Sequence, residues 1–424
     1  SMTPLIVFSH LRWDFVYQRP QHLLSRLARR RPVLYVEEPV SGSPRNWLEQ
    51  QSPVEGVRVL RPHVTGTVDG FADEHVPAVR RMVSTVLREL AIDDYLVWFY
   101  TPMALPLADG LDPRAIVYDC MDELSAFRFA PPQLVQREAR LLREADLVLT
   151  GGPSLYASKR ALRPDVHCFP SSVDARHFGQ QPFEHPSQFP LPHPRLGYYG
   201  VIDERLDLGL IAALADAHDD WQVVMVGPVA KIDPESLPRR DNLYWLGKRD
   251  YADLPAHLVG WDVCLMPFAL NEATRFISPT KTLEYLAAGR PCVSTPIRDV
   301  VGLYSGVVSI AHGPRDFVRA CEQILRWTNA DRARFRRRAQ EIVERSSWER
   351  TVADIERLLE RFEKPLELGV GVETGISAGG LAEAGPDLEV EVELEAFVDA
   401  AMGVELKAGQ KTAVALAAPP APSN

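Results

Sequence analysis

The 424-residue chain has no apolar run of about eighteen residues, which excludes a transmembrane helix of ordinary length. No basic-then-apolar leader precedes its first strand-like segment, so no secretory signal is expected. Its five cysteines, Cys120, Cys168, Cys264, Cys292 and Cys321, stand far apart and show neither metal-ligand nor redox spacing. Buried reduced thiols are expected rather than disulfides or a metal site. An excess of basic residues is also missing. The net charge of -10 argues against nucleic acid as a partner. These absences together predict a cytosolic protein without a structural metal.

What is present suits a globular protein: 46% hydrophobic and 25% charged residues, with length enough for two domains. The first half alternates strand candidates (5–9, 33–37, 57–60, 96–100, 115–119, 146–150 and 166–169) with helices predicted over 18–30, 77–90, 132–144 and 154–162. A proline-dense connection, 182–194, follows. A second alternating series then has strands at 196–199, 222–226, 242–246, 263–266, 292–295 and 307–310. Such alternation implies α/β architecture, with two doubly wound parallel-sheet (Rossmann-like) domains, 1–180 and 195–345, facing a cleft. A closing helix over 346–363 begins with a capping box in which Ser346 is capped by Glu349, and Trp348 lies near its start. Residues 364–424 form an acidic, Ala/Gly/Pro-rich tail that holds much of the negative charge. Within it, 388–395 alternates strictly and reads either as one strand or as disorder.

The most informative stretch runs from Pro267 to Pro296. It reads as a strand, a polar loop, a compact helix and another strand. Ser278 fits the N-cap, Pro279 the first helical position and Gly289 the stop. Leu283, Leu286 and Ala287 recur at helical spacing and should pack on the sheet, while Lys281 and Glu284 share another face. A lysine beside the free N–H groups of a helix start suits a phosphate, and a glutamate one turn on suits two sugar hydroxyls. On the residues alone, an ordinary surface Lys–Glu pair remains the other reading.

The run from Glu284 to Val293, Glu-Tyr-Leu-Ala-Ala-Gly-Arg-Pro-Cys-Val, resembles the nucleotide-sugar-binding helix of family 4 (group 1) glycosyltransferases, whose architecture is GT-B. That family has two glutamates seven apart, and the resemblance gives Glu284 the role of the second, on the donor ribose. Phe276 stands at the first position, leaving Asn271, Glu272 or Thr274 as substitutes. Arg205, after Gly200, is the nearest match to the family's diphosphate-binding arginine. Asp207 stands near the family's lysine, so Lys281 is the candidate for the missing charge. Gly227, Gly247 and Lys248 resemble the turns beside the nucleobase, and Ser278 and Thr280 at the helix start complete the donor set. Ser172-Val173-Asp174 resembles the family's interdomain hinge.

The run Gln18-Arg19-Pro20-Gln21-His22 resembles a bacterial surface-polysaccharide subgroup. It marks an acceptor side made of His10, Trp13, Tyr17, Gln18, Arg19, His22 and Tyr100, with Arg19 suited to a phosphate or carboxylate. A structural hydrogen bond is the alternative role for His22, and helix capping is the alternative for Asp122. The resemblance implies transfer of a sugar, with retention, from a nucleotide-diphospho-sugar to a saccharide or lipid-linked acceptor. Arg205, Lys281 and Asp122 are the catalytic candidates; no metal and no cofactor is implied, the donor being a substrate. A lipid-linked acceptor implies peripheral membrane contact, for which the helix around Val79–Arg88 reads as interfacial or as a core-packing helix with solvated arginines. The rival readings are a nucleotide-sugar 2-epimerase and a non-catalytic nucleotide-sugar-binding scaffold.

Overall fold

Runs of four or five consecutive buried apolar residues are the mark of parallel strands covered on both faces, and this chain has two sets of them. A computed structural model describes residues 2–364. The first sheet has eight strands: β1 (Leu5–Ser9), β2 (Val33–Glu37), β3 (Trp47–Val54), β4 (Val57–His63), β5 (Leu96–Phe99), β6 (Ile116–Cys120), β7 (Leu147–Thr150) and β8 (Val166–Cys168). Their order is β3-β4-β2-β1-β5-β6-β7-β8, parallel except for the β3/β4 hairpin. The second sheet has β9 (Arg195–Tyr199), β10 (Gln222–Val226), β11 (Leu243–Trp245), β12 (Val263–Met266), β13 (Cys292–Ser294) and β14 (Ser309–Ile310). Their order is β11-β10-β9-β12-β13-β14, parallel throughout.

In each sheet the chain order reverses beside the first strand: β2 and β5 flank β1, and β10 and β12 flank β9. Ligands bind beyond the carboxyl ends of strands at such switch points, here after Ser9 and after Tyr199. Helices close both faces of both sheets. In the first, the Val76–Glu89 and Leu134–Glu144 helices cover one face. The Arg19–Leu27 and Trp348–Leu359 helices cover the other. In the second, the core includes the inward residues of the Leu208–Ala217, Lys281–Ala287 and Pro314–Leu325 helices.

Several sequence expectations are corrected. The Lys281–Ala287 helix starts two residues late, with Thr280 as an N-cap whose side chain caps nothing, so Ser278 and Pro279 belong to the preceding loop. The closing helix is capped by Ser347, which accepts from the Arg350 N–H, rather than by Ser346. Glu349 does not reach back to cap; it pairs with Arg26 at 3.0 Å. The Val76–Glu89 helix buries Val79, Val83, Val86 and Leu87 in the core, so its apolar face is not free for a membrane. All five cysteines are free thiols, and four are buried. The alternating segment 388–395 lies outside the described residues.

Candidate active site

The two switch points face each other across a cavity of about 410 Å³. From the first sheet it is lined by the loop after β1, from Trp13 to Arg19, and by Met121 and Asp122 after β6. From the second come Gly200, Val201 and Arg205 after β9, Gly227 after β10, and Lys248 to Tyr251 after β11. Ser278, Thr280, Lys281 and Glu284 complete that wall.

Glycine is required at two of these turns. Gly200 and Gly227 have φ of +143° and +145°, and a Cβ at Gly227 would stand 1.7 Å from the Gly200 carbonyl oxygen. The backbone therefore runs close beneath the cavity without side chains in the way. Gly247 accepts the Gly227 N–H at 2.9 Å and supports this floor from outside the cavity.

Glu284 and Lys281 are not a surface pair. Glu284 is 5% exposed and accepts from the Tyr199 hydroxyl at 2.9 Å. Burial raises its pKa to about 7, opposed by that hydrogen bond and by the positive charge of Lys281. Burial lowers the Lys281 ammonium to about 8, with the nearby Arg205 charge acting in the same direction. The Lys281 ammonium lies 5.4 Å from the ring centres of both Tyr198 and Phe268, which partly replace its hydration. Arg205 is held bidentately by Asp203, Nε donating to Oδ1 and Nη2 to Oδ2, each at 3.0 Å, and crosses the cleft to the Phe127 ring. Burial pulls the Arg205 pKa down, but the Asp203 carboxylate outweighs it, leaving the guanidinium charged. Opposite, burial raises Asp122 to about 6, while Arg205 and Lys231 pull it down. The cavity thus combines a guanidinium fixed by its own carboxylate, an ammonium weakened by burial, two carboxyls raised by burial and bare backbone.

The structure brings Gly200, Arg205, Gly227, Lys248, Ser278, Thr280, Lys281, Glu284, Asp122, Trp13, Tyr17, Gln18 and Arg19 together around this space. Other candidates are elsewhere. Asn271 and Thr274 cap each other reciprocally around a short turn, with the Thr274 hydroxyl donating to the Ala269 carbonyl, and neither lines the cavity. Tyr100 is a core residue, fully buried, whose hydroxyl faces the Asp119 carboxylate rather than the cavity. His22 has a structural role: it stacks on Trp348 at 4.7 Å, and burial drives its pKa well down. His10 is held near 4 by burial and by the Lys231 charge, and it lies outside the cavity lining. Arg19 meets a carboxylate, but the chain's own: it bonds both Asp119 oxygens at 2.9 and 3.0 Å, within the wall. Asp207 caps the Leu208–Ala217 helix. Asp122 is not a helix cap, since no cap bond is made by it at either flanking helix.

Sequence reasoning missed Tyr251 and Lys231. Tyr251 lines the cavity, stacks on Tyr17 at 4.3 Å, and has a buried hydroxyl without a partner among the described residues. Its origin in a three-residue 3-10 turn gives no periodic signal. Lys231 approaches the same cleft from a loop residue with φ +61° and lies over the Phe127 ring at 5.3 Å. Polar contacts also span the cleft: Lys248 donates to the Asp14 carbonyl at 2.5 Å, and the Arg128 N–H to Glu204 at 3.0 Å. Among the described residues no group of three His, Cys, Asp or Glu side chains is placed to hold a metal ion.

Residues 194–326 match the family model described as "Glycosyl transferases group 1". The chain is 27% identical over 273 residues to a putative teichuronic acid biosynthesis glycosyltransferase of Bacillus subtilis, covering 58% of this chain and 68% of that protein. The fold matches sucrose-phosphate synthase from Thermosynechococcus elongatus with a TM-score of 0.63 at 16% identity, over 85% of this chain and 98% of that one. It matches Anabaena HepE in complex with UDP and glucose with a TM-score of 0.62 at 14% identity, over 85% and 100%. The chain is a two-domain glycosyltransferase of GT-B architecture, and its residues 194–326 form a domain of the glycosyl transferases group 1 type.

Proposed function

We propose that the cavity binds a nucleotide-diphospho-sugar, with UDP-sugars the first class to test. Its sugar would pass to a saccharide or lipid-linked acceptor in the synthesis of a bacterial polysaccharide or glycoconjugate. The observation that carries this reading is the placement of buried Glu284 one turn from Lys281, with Arg205 beside them and two positive-φ glycines beneath. Glu284 would take the ribose hydroxyls, and the Tyr251 hydroxyl, on the same cavity wall and within the field of Glu284, would be a second polar contact for the donor. Arg205 and Lys281 would meet the diphosphate. The helix that starts at Lys281 has only seven residues, so these side chains supply more of the field than its dipole.

Negative charge grows on the leaving diphosphate during transfer. Cations already fixed in a low-dielectric cleft stabilise that charge without reorganising. Asp203 fixes Arg205, and the Phe127 ring holds the same guanidinium from the opposite domain. Asp122, with a pKa near 6, is suited to accept a hydrogen bond from an acceptor hydroxyl. Retention would follow if the acceptor attacks from the diphosphate side and its proton leaves to a phosphate oxygen. A lipid-linked acceptor would bring the chain to a membrane surface through that acceptor, because the apolar face of the Val76–Glu89 helix is already buried.

Incubation with radiolabelled UDP-sugars, with and without lipid and saccharide acceptors, tests the proposal. Transfer or slow donor hydrolysis is expected. Conversion of the sugar to its 2-epimer would indicate an isomerase instead, and nucleotide binding without turnover of any donor would indicate a scaffold. Vesicle sedimentation at low and high salt tests the membrane contact.

A further inference from the structure

Away from the cleft, the second domain has a separate concavity of about 260 Å³. It lies where the Lys281–Ala287 helix ends, against the start of the Asn329–Glu344 helix. Three arginines line it, Arg290, Arg332 and Arg336, with Trp327, Phe335 and Gln181. Among the described residues no carboxylate does.

Among the described residues the arginines are poorly matched by acids. Arg290 has one long bond, 3.4 Å to the Trp261 carbonyl, and its Nε is buried without a partner. Among the described residues the Arg332 guanidinium has a 3.5 Å contact with the Ile324 carbonyl and no carboxylate partner. Elsewhere this chain pairs its buried arginines with acids: Arg19 with Asp119, Arg31 with Glu356 and Arg195 with Glu184. Arg290 and Arg332 are half-buried and Arg336 is exposed at the rim, so a bound anion would meet like charges from three sides and give the buried Arg290 Nε a partner. Guanidinium forks match a phosphate group bidentately. The adjoining wall is aromatic, with the Trp327 and Phe335 rings 5.6 Å apart, which suits the flat or apolar body carried by such a phosphate.

We infer that this concavity binds a small phosphate monoester, sugar- or base-sized, at a site distinct from the donor cleft. Calorimetry on the full chain at low salt tests this. Glucose 6-phosphate and AMP serve as probes, with excess UDP present so that the cleft does not account for their binding. Titration of UDP alone separately checks the cleft, so failure at one site is not mistaken for failure at the other. A phosphate ester should bind the UDP-saturated protein, and Arg332→Gln combined with Arg336→Gln should weaken it about tenfold or more. Arg336 is exposed and Arg332 half-buried, so the pair of changes should fold normally, which an unchanged melting temperature verifies. Arg334→Gln, on the same helix but paired with Asp331, should bind as the wild type does. Equal binding in the double variant would overturn the assignment, as would no binding of either probe at about 10 mM, a dissociation constant too weak for specific recognition. Binding only to phosphatidylglycerol vesicles would also overturn it and make the arginines a membrane-facing patch.

Discussion

At Glu284 the proposed donor-binding role and stability pull in opposite directions. Burial raises its carboxyl from 4.5 to about 7. The folded chain therefore holds a proton that the unfolded chain has released, and stability falls as pH rises from about 4.5 to 7. Above that window the ionised carboxylate costs its full penalty. Glu284→Gln keeps an oxygen to accept from Tyr199 but carries no charge. We expect it to raise stability by about 1–3 kcal/mol at pH 8 and to change it little at pH 4, as read by urea unfolding at both. The same change should weaken nucleoside-diphosphate binding by about 1.5–3 kcal/mol, because charge-assisted hydrogen bonds to the ribose are lost. Undiminished affinity by calorimetry would remove Glu284 from the donor site. A gain in stability with a loss of binding is the pattern of a residue kept for its ligand.

Elements were legible in the sequence where burial was continuous. Strands such as Val263–Met266 and Gln222–Val226 are unbroken runs with both faces covered, and their bounds match the runs themselves. β3 was missed because it is an exposed edge strand reading Trp-Leu-Glu-Gln-Gln-Ser-Pro-Val, with neither alternation nor an apolar run. The Ala175–Phe178 helix is four residues long, too short for a period to show. The same logic divides the site. Lys281 and Glu284 stand out because a helix places them on one face. Lys231, Tyr251 and Asp203 come from loops and turns, whose three-dimensional course leaves no pattern in the chain. Asn271 and Thr274 looked like ligands because they are polar and close to the motif, yet their hydrogen bonds are spent on a turn and on the Glu204 carbonyl. The closing helix gives the test at this scale. Trp348 is fully buried and joins the helix to His22, and its removal leaves a cavity on that face of the first sheet. Trp348→Ala should cost about 3–5 kcal/mol in urea unfolding. A loss below about 1 kcal/mol would mean the helix contributes little to the first domain.

Across the whole molecule, the chain's two ends of described structure meet. Glu363 accepts from the Thr3 N–H and hydroxyl at 3.0 and 2.6 Å, and pairs with Arg31 at 2.7 Å. Arg31 is a fully buried charge that also pairs with Glu356, and Arg114 donates to the Phe362 carbonyl. The first sheet is thus tied to the segment that follows the second, so both domains share one closure. Residues 365–424 lie beyond this tie and outside the described residues. Cutting the chain after Lys364 keeps every one of these bonds, and nucleotide affinity and melting temperature should stay as in the full chain. Cutting three residues earlier, after Arg361, removes Glu363 and leaves Arg31 with one carboxylate for a buried charge. Loss of a partner from a buried ion pair costs about 3–5 kcal/mol, and the retained Glu356 should hold this case to the lower end. The two truncations therefore separate a dispensable extension from a structural latch only three residues away. A protein cut after Lys364 that folds but no longer binds nucleotide would show instead that the acidic tail helps to build the donor site.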